Sequence, residues 1–395
     1  MIYLDNAATT YPKPPAVRAA VDRALARFGA NPGRGGYRMS IETAEAVYGA
    51  RREAALLFGA PGPECVAFPL NCTQALNFVI KGALKPGGHV VVSNLEHNAV
   101  MRPLETLRRR GICSYTKAQV FPGDAERTLQ SFREALNEKT CLCVCTHMSN
   151  VWGTILPVAR IAALCHVYGV PVCVDCAQSA GVLPLSIRED GIDFLCAAGH
   201  KGLYGPMGTG LLLARDGAAL DTVIEGGTGT QSLSLSQPRE MPEHLESGTV
   251  NVPGIVGLSA GIAFVRKLGP AKIFAHEHAL VLRLYRGLQR LPVTLYTGAP
   301  EGTLLSWNAP GVLPEEAAAF LSRAGFAVRA GLHCAPCAHE AFGTLPEGCV
   351  RVSPGAFTTA QQIDAFLSAV ERLCAKKHVS KNQETPLHPK GDMIQ

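Results

Sequence analysis

The chain has 395 residues, 47% of them apolar and 17% charged, with a formal net charge of +5. That length exceeds a typical single domain and points to a large domain with a smaller one. The modest charge, with no dense basic run interleaved with aromatics, argues against nucleic-acid binding. The N-terminus MIYLDNAATT has neither a charged n-region nor a long apolar h-region, and no stretch reaches membrane-span length, so no membrane association and a cytoplasmic location are expected.

A first helix is expected from about Pro14 to Phe28. Asn31-Pro32-Gly33-Arg34-Gly35-Gly36-Tyr37 is turn chemistry, and Ser40 is placed to cap a second helix with Glu42, Glu45 and Arg51 on its polar face. Val66-Ala67-Phe68-Pro69 reads as a strand, followed by a helix start at Asn71-Cys72-Thr73-Gln74. Free amides and the positive dipole end at such a start suit a phosphate, and a threonine hydroxyl adds a donor; ordinary N-capping by Asn71 or Thr73 accounts for the same residues. The strand Val90-Val91-Val92-Ser93 leads to Asn94-Leu95-Glu96-His97-Asn98, where His97 is either a satisfied loop histidine or a base.

The fourteen cysteines are scattered through strand-like runs and read as buried, reduced thiols. Cys141, Cys143 and Cys145 alternate in TCLCVCTH, which places all three on one face of a strand over 141–146. A helix from about Pro157 to Tyr168 then crosses to Val170-Pro171-Val172-Cys173-Val174, a buried strand ending at Asp175, with Gln178 three residues on. The apolar run Phe194-Leu195-Cys196-Ala197 is a further strand and delivers the Gly199-His200-Lys201 turn. Strands alternating with helices, with polar groups repeatedly at strand ends, indicate a mostly parallel α/β sheet.

A lysine beside glycine is ordinarily a solvated turn residue, but burial among apolar neighbours would lower its pKa and suit imine formation. A carboxylate at one strand end and a lysine 26 residues later at another is the arrangement pyridoxal phosphate requires. The lysine holds the aldehyde as a Schiff base, and the carboxylate keeps the ring nitrogen protonated. On these residues the sequence resembles class V aminotransferase-type proteins of the cysteine desulfurase and selenocysteine lyase group, and the resemblance runs to about Cys374.

The resemblance implies an α/β fold, pyridoxal phosphate fold type I, with a large domain built on a mostly parallel sheet and a smaller α+β domain. It implies pyridoxal 5'-phosphate as cofactor, with Lys201 as its attachment point, Asp175 on the ring nitrogen and Gln178 on the ring oxygen. His97 would stack on the ring and act as acid/base, and Asn150, in His147-Met148-Ser149-Asn150, would contact the ring oxygen and the substrate carboxylate. Thr73, with the helix-start amides and Cys72 at the position where the family has a first threonine, would cradle the phosphate, together with His200. Where the family commonly has a hydroxyl residue two before that histidine, this chain has Ala198. Thr249, in Glu246-Ser247-Gly248-Thr249, would reach the phosphate of a partner chain, which implies a homodimer. The opening Tyr3-Leu4-Asp5-Asn6-Ala7-Ala8-Thr9-Thr10 would lie near the substrate entrance.

Two readings compete for Arg329-Ala330-Gly331-Leu332-His333-Cys334-Ala335-Pro336-Cys337-Ala338-His339. His333, Cys334, Cys337 and His339 are zinc-ligand types, but close structural zinc sites usually draw ligands from two separated pairs, so no metal is expected. The stretch also resembles the Arg-x-Gly-x-His-Cys-Ala motif of desulfurases with a short cysteine loop. There Cys334 takes sulfur from the substrate as a persulfide, Arg351 clamps the substrate carboxylate, and Arg329 is a second arginine near the thiol. Cys337 has no counterpart in that motif and is either inert or a partner for the persulfide.

The glycine-rich Glu225-Gly226-Gly227-Thr228-Gly229-Thr230 lacks the lysine-serine or lysine-threonine pair of a P-loop. Beyond it, helices are expected over Ile255 to Leu268 and Ala271 to Leu291, a strand at Leu304 to Asn308, and a closing helix from about Thr359 to Cys374. The expected division is a large cofactor-binding domain over 14–253, a small domain from 1–13 and 254–375, and a flexible polar tail over 376–395. The function read from the sequence is conversion of L-cysteine to L-alanine with a persulfide on Cys334, passed to a sulfur-acceptor protein in sulfur metabolism such as iron–sulfur cluster assembly. Alternatives are a selenocysteine lyase, a cysteine sulfinate desulfinase, a cysteine β-lyase, or a sulfur-delivery scaffold with negligible turnover.

Overall fold

A computed structural model describes residues 1–33 and 35–383. In chain order the elements begin with β1 (Ile2–Tyr3), α1 (Pro15–Arg27), α2 (Arg38–Leu57), β2 (Val66–Ala67) and α3 (Cys72–Ala83). They continue with β3 (Gly88–Ser93), α4 (Asn98–Arg109), β4 (Cys113–Ala118), α5 (Ala125–Ala135), β5 (Thr140–Thr146) and α6 (Val158–Val167). Next are β6 (Val172–Asp175), β7 (Phe194–Ala198), β8 (Gly210–Ala214), α7 (Val252–Leu268), α8 (Pro270–Leu288), β9 (Thr294–Leu295) and β10 (Leu305–Asn308). The chain closes with α9 (Pro314–Arg323), β11 (Phe326–Ala327), β12 (Arg329–Gly331), α10 (Pro336–Ala341), β13 (Cys349–Val352) and α11 (Ala360–Gln383).

Seven strands form one sheet in the order β2-β8-β7-β6-β5-β3-β4. From β4 to β7 every neighbour pair is parallel, and β8 runs against both β7 and β2. The inner parallel strands β3, β5, β6 and β7 are largely apolar because helices cover both faces, whereas the edge strand β4 is mostly polar and exposed. Val91, Cys143 and Val174 face one layer, while Val90, Val92, Leu142, Val144 and Cys173 face the other. With this topology the segments after β3, β5, β6 and β7 emerge at the same, C-terminal edge of the sheet, where ligands of open α/β sheets bind.

A second sheet, β12-β13-β10-β9, is antiparallel, and a two-stranded parallel ladder joins β1 to β11. Trp307, Val350, Phe366 and Leu284 pack with Leu4 in a separate apolar cluster under α8, α9 and α11. Helix α7 instead buries Ile255, Leu258 and Ile262 in the cluster shared with α1 and α2.

Four expectations are corrected. Cys143 and Cys145 share one face, but Cys141 packs against the opposite one, because the register between β3 and β5 slips between His89 and Val90, and such a bulge reverses the alternation. Ser40 does not cap α2, which starts at Arg38; its hydroxyl is buried and donates to the Asn31 carbonyl (2.8 Å), tying the glycine-rich turn to the helix. Phe68 and Pro69 lie outside β2, which ends at Ala67. The closing helix runs on to Gln383, so the expected polar tail begins as helix; its remainder, 384–395, lies outside the described residues. Among the described residues no single helix is long and apolar enough to cross a membrane.

One buried acid sets a pH signature for the fold. Glu277, on α8, is 4% exposed, and burial pushes its carboxyl up to about 8, opposed by a hydrogen bond with Thr303. The unfolded chain releases this proton near 4.5, so between those values the native state binds more protons and loses stability as pH rises, by up to about 1.4 kcal/mol per pH unit. Glu277→Gln is therefore expected to show a smaller fall in Tm than the parent between about pH 6 and pH 9 by scanning calorimetry. An equal fall in both proteins would remove Glu277 as the cause.

Candidate active site

The turn after β7 is held from a distant part of the chain. The His200 carbonyl accepts from Thr10 N–H (3.2 Å), the Thr9 hydroxyl (3.1 Å) and the Lys13 ammonium (2.6 Å), and the Lys201 carbonyl accepts from the Thr10 hydroxyl (3.0 Å). This leaves the Lys201 side chain at the sheet edge, where burial lowers its pKa, offset in part by Asp175 and Cys72 and reinforced by Arg351 and Arg329. A lysine so placed is deprotonated more readily and is a better nucleophile.

Asp175, at the end of β6, is 4% exposed; its Oδ1 accepts from Ala177 N–H (2.9 Å) and lies 3.4 Å from the Cys72 thiol. Burial and that carboxylate push the Cys72 thiol up, so it stays protonated and donates. Asn71 caps α3 by accepting from Gln74 N–H (2.9 Å), and Thr73 is exposed in the first turn. Gly210 on β8 lies so close that a Cβ there would stand 2.6 Å from the Asn71 carbonyl carbon; the missing side chain lets α3 begin against the sheet.

His97 caps α4, its Nδ1 accepting from Ala99 N–H (3.0 Å), which assigns the neutral ring proton to Nε2. Burial lowers its pKa, with Asp175 pulling the other way. The next residue reaches the cysteine loop: Asn98 N–H donates to the Cys334 carbonyl (2.7 Å). After β5, the Asn150 amide donates to the His333 carbonyl (2.8 Å), and its own carbonyl accepts from Arg351 Nη1 (2.9 Å). Gln178 donates to the Ala7 carbonyl (3.0 Å).

One cavity is lined by Cys72, Thr73, His97 and Asn150, and on its other side by Asp175, Gln178, Ala198, His200 and Lys201. Arg351 and Arg329, paired across β13 and β12, carry charge close enough to act on Lys201. Thr249 is not brought to this cavity; it is exposed, accepts from the Asn31 amide (3.1 Å) and lines a different depression. Cys334 is the one exposed cysteine among the described residues, and both it and His333 hold positive φ, 56° and 49°. Such backbone is unfavourable for non-glycine residues and recurs at functional loops.

Three participants were not assigned from the sequence. Asp5 pairs with Arg351 Nη2 (2.8 Å) across 346 positions, a separation no local pattern reveals. Lys13 sits on the His200 carbonyl, with burial pulling it down to about 8. Glu96 precedes His97 and is fully buried between Ser93 and Thr146 N–H (2.8 Å), burial pushing it up to about 8. A carboxylate next to the singled-out histidine was the available signal for the last.

The sequence pattern of the aminotransferase class-V family matches residues 2–366. The chain belongs to that family. Among its class-V relatives, a probable cysteine desulfurase of Mycolicibacterium paratuberculosis is 33% identical over 94% of this chain, which spans 55% of the relative's length. Another, from Methanothermobacter thermautotrophicus, is 32% identical with 94% of each chain covered. The apo structure of a cysteine desulfurase from Thermococcus onnurineus is 30% identical, covers 95% of each chain and superposes with a TM-score of 0.89. A cysteine desulfurase from Escherichia coli, in an S-sulfonic acid form, is 27% identical over 95% of this chain with a TM-score of 0.85.

Class-V proteins use pyridoxal phosphate, and the cavity suits it. His200 Nδ1 is buried and, among the described residues, without a hydrogen-bond partner beside the α3 N-terminus, a group that a phosphate oxygen would satisfy. Burial, then Lys201 and Lys13, pull His200 down to about 4, so it meets such a group as a neutral donor.

Proposed function

We propose that the protein is a pyridoxal-phosphate-dependent cysteine desulfurase that converts L-cysteine to L-alanine and leaves the sulfur as a persulfide on Cys334. The observation that carries this reading is the pair of hydrogen bonds, Asn98 N–H to Cys334 carbonyl and Asn150 amide to His333 carbonyl, that ties the backbone bearing an exposed thiol to residues beside and lining the cofactor cavity. The names of the relatives agree with it. Lys201, Asp175, Gln178, His97, Asn150, Cys72, Thr73 and His200 would hold the cofactor, with Thr249 completing the site of a partner chain in a homodimer. When bound, the cofactor stabilises negative charge at the substrate α-carbon.

Arg351 fixes the substrate carboxylate, with Arg329 nearby. Its Nη1 and Nη2 each donate one N–H, to Asn150 and Asp5, so three of the five guanidinium donors remain for the carboxylate, among them Nε, buried and unpartnered among the described residues. Lys201 Nζ takes the α-proton, and His97 Nε2 serves proton transfers beside it. The Cys334 thiolate attacks the substrate sulfur. The sulfur–sulfur bond forms as the substrate carbon–sulfur bond breaks and its electron pair stays on the β-carbon; a proton taken up there, and the α-proton returned from Lys201, complete alanine. The persulfide then passes to a sulfur-acceptor protein, in the cytoplasm and in service of iron–sulfur cluster assembly; Cys337 stays inert.

We also assign the body over 14–253 to cofactor binding and 1–13 with 254–375 to a smaller closing body, supported by the separate apolar cluster around Trp307. The test is alanine and sulfide release from L-cysteine with a reductant. Cys334→Ala is expected to lose both by about 10²-fold or more while keeping bound cofactor. Unchanged alanine release in that variant would replace the persulfide route with elimination chemistry.

A further inference from the structure

We propose that His333, His339 and Cys349 form a binding site for a zinc-class divalent cation directly beneath the Cys334 loop. The three come from different elements: the loop after β12, the short helix α10 and strand β13. All are buried, at 3%, 0% and 0% exposure, and one donor atom from each lies within 4.8 Å of the others. Cys349 Sγ stands 4.0 Å from His333 Nδ1. Tetrahedral zinc spaces nitrogen and sulfur ligands roughly 3.3–3.6 Å apart, so small side-chain rotations close the set.

The hydrogen bonds around the rings favour this use. His339 Nδ1 lies 2.7 Å from the Thr344 hydroxyl, which itself donates to the His339 carbonyl (3.4 Å). With that hydroxyl accepting the Nδ1 proton, the tautomer that a bound cation would select, Nε2 supplies the lone pair for the site. That Nε2 is buried and, among the described residues, makes no hydrogen bond of good geometry, with the Leu332 carbonyl as its polar neighbour. His333 repeats the pattern, its Nε2 3.3 Å from the Arg329 carbonyl and Nδ1 turned to the cysteine. Imidazoles that donate one N–H to an oxygen and aim the other nitrogen at a common point have the outer-shell arrangement of metal-binding histidines.

The donor set also selects the ion. Two imidazoles and a thiolate suit borderline and soft cations over magnesium or calcium. Binding releases the Cys349 proton, so the added charge at the site is reduced by one, and the nearby Arg351 is already compensated by Asp5. Three protein ligands leave one coordination position for water. Because His333 immediately precedes Cys334, an ion here locks the backbone that carries the thiol to β13, the strand that also carries Arg351.

The inference does not rest on the desulfurase reading, and its readout is metal content. Holoenzyme carrying Cys334→Ser and Cys337→Ser, which removes the two thiols of the loop, is incubated with zinc, desalted, and measured by mass spectrometry against a chromogenic chelator. One zinc per chain is expected. Adding Cys349→Ser, or His339→Gln, is expected to weaken zinc binding by at least about 100-fold. Cobalt loaded into the same background is expected to give thiolate-to-cobalt absorbance, a readout that leaves all three ligands in place. No retained zinc, no such absorbance, or zinc retention unchanged by Cys349→Ser would overturn the site.

Discussion

Lys201→Ala is expected to reduce alanine formation from L-cysteine by about 10³-fold or more while the protein stays folded. In the proposed reading the substitution removes both the covalent anchor of the cofactor and the base beside the α-carbon, and general-base catalysis alone is worth about 10²–10⁴-fold. Its fold should survive because the turn is held through backbone carbonyls, those of His200 and Lys201, by Thr9, Thr10 and Lys13. The check is single-turnover alanine formation together with the visible spectrum of the purified protein. Cofactor is expected to be lost on dialysis in the variant and kept by the parent; retained activity would move the anchor away from Lys201.

The second large effect is expected at Arg351. The side chain is 1% exposed and joins Asp5, Asn150 and, in the proposed reading, the substrate carboxylate. Arg351→Lys preserves charge but not the planar fork. Arg351→Ala removes one partner of a buried, hydrogen-bonded charge pair, which costs about 2–5 kcal/mol, so its kcat/KM should fall between about 30-fold and several thousand-fold, mostly through KM, and that of Arg351→Lys by less. Arg351→Ala leaves Asp5 without its ion-pair partner and should also lower Tm. A variant with unchanged KM would assign substrate binding to Arg329 instead.

What the sequence reveals and what it hides divide along physical lines. The parallel sheet is legible because its strands are short apolar runs between helical segments, and polar residues recur where each strand stops. Asp175, Gln178, His97, Asn150 and Lys201 converge because that topology brings those ends to one edge. Local capping is less legible: Ser40 has the chemistry of a cap, yet its hydroxyl serves a loop nine residues back. The facing of Cys141 depends on a bulge set by the neighbouring strand, and alternation within one strand carries no trace of it. Pairings such as Arg351 with Asp5, or Cys349 with His333 and His339, depend on how β13 lies beside other elements, and sequence distance conceals them.

The Asp5–Arg351 pair and the bridge from Asp5 to Ser353 tie the earliest residues of the chain to the last of its strands. During synthesis the N-terminal segment leaves the ribosome hundreds of residues before its mate exists. At about 5–20 residues per second, that interval is roughly 20–70 s. The central sheet can assemble in that time, but the arginine clamp cannot. Nascent chains halted before β13 therefore carry the lysine and the aspartate without the arginine proposed to grip substrate, which arrives only with the final strand.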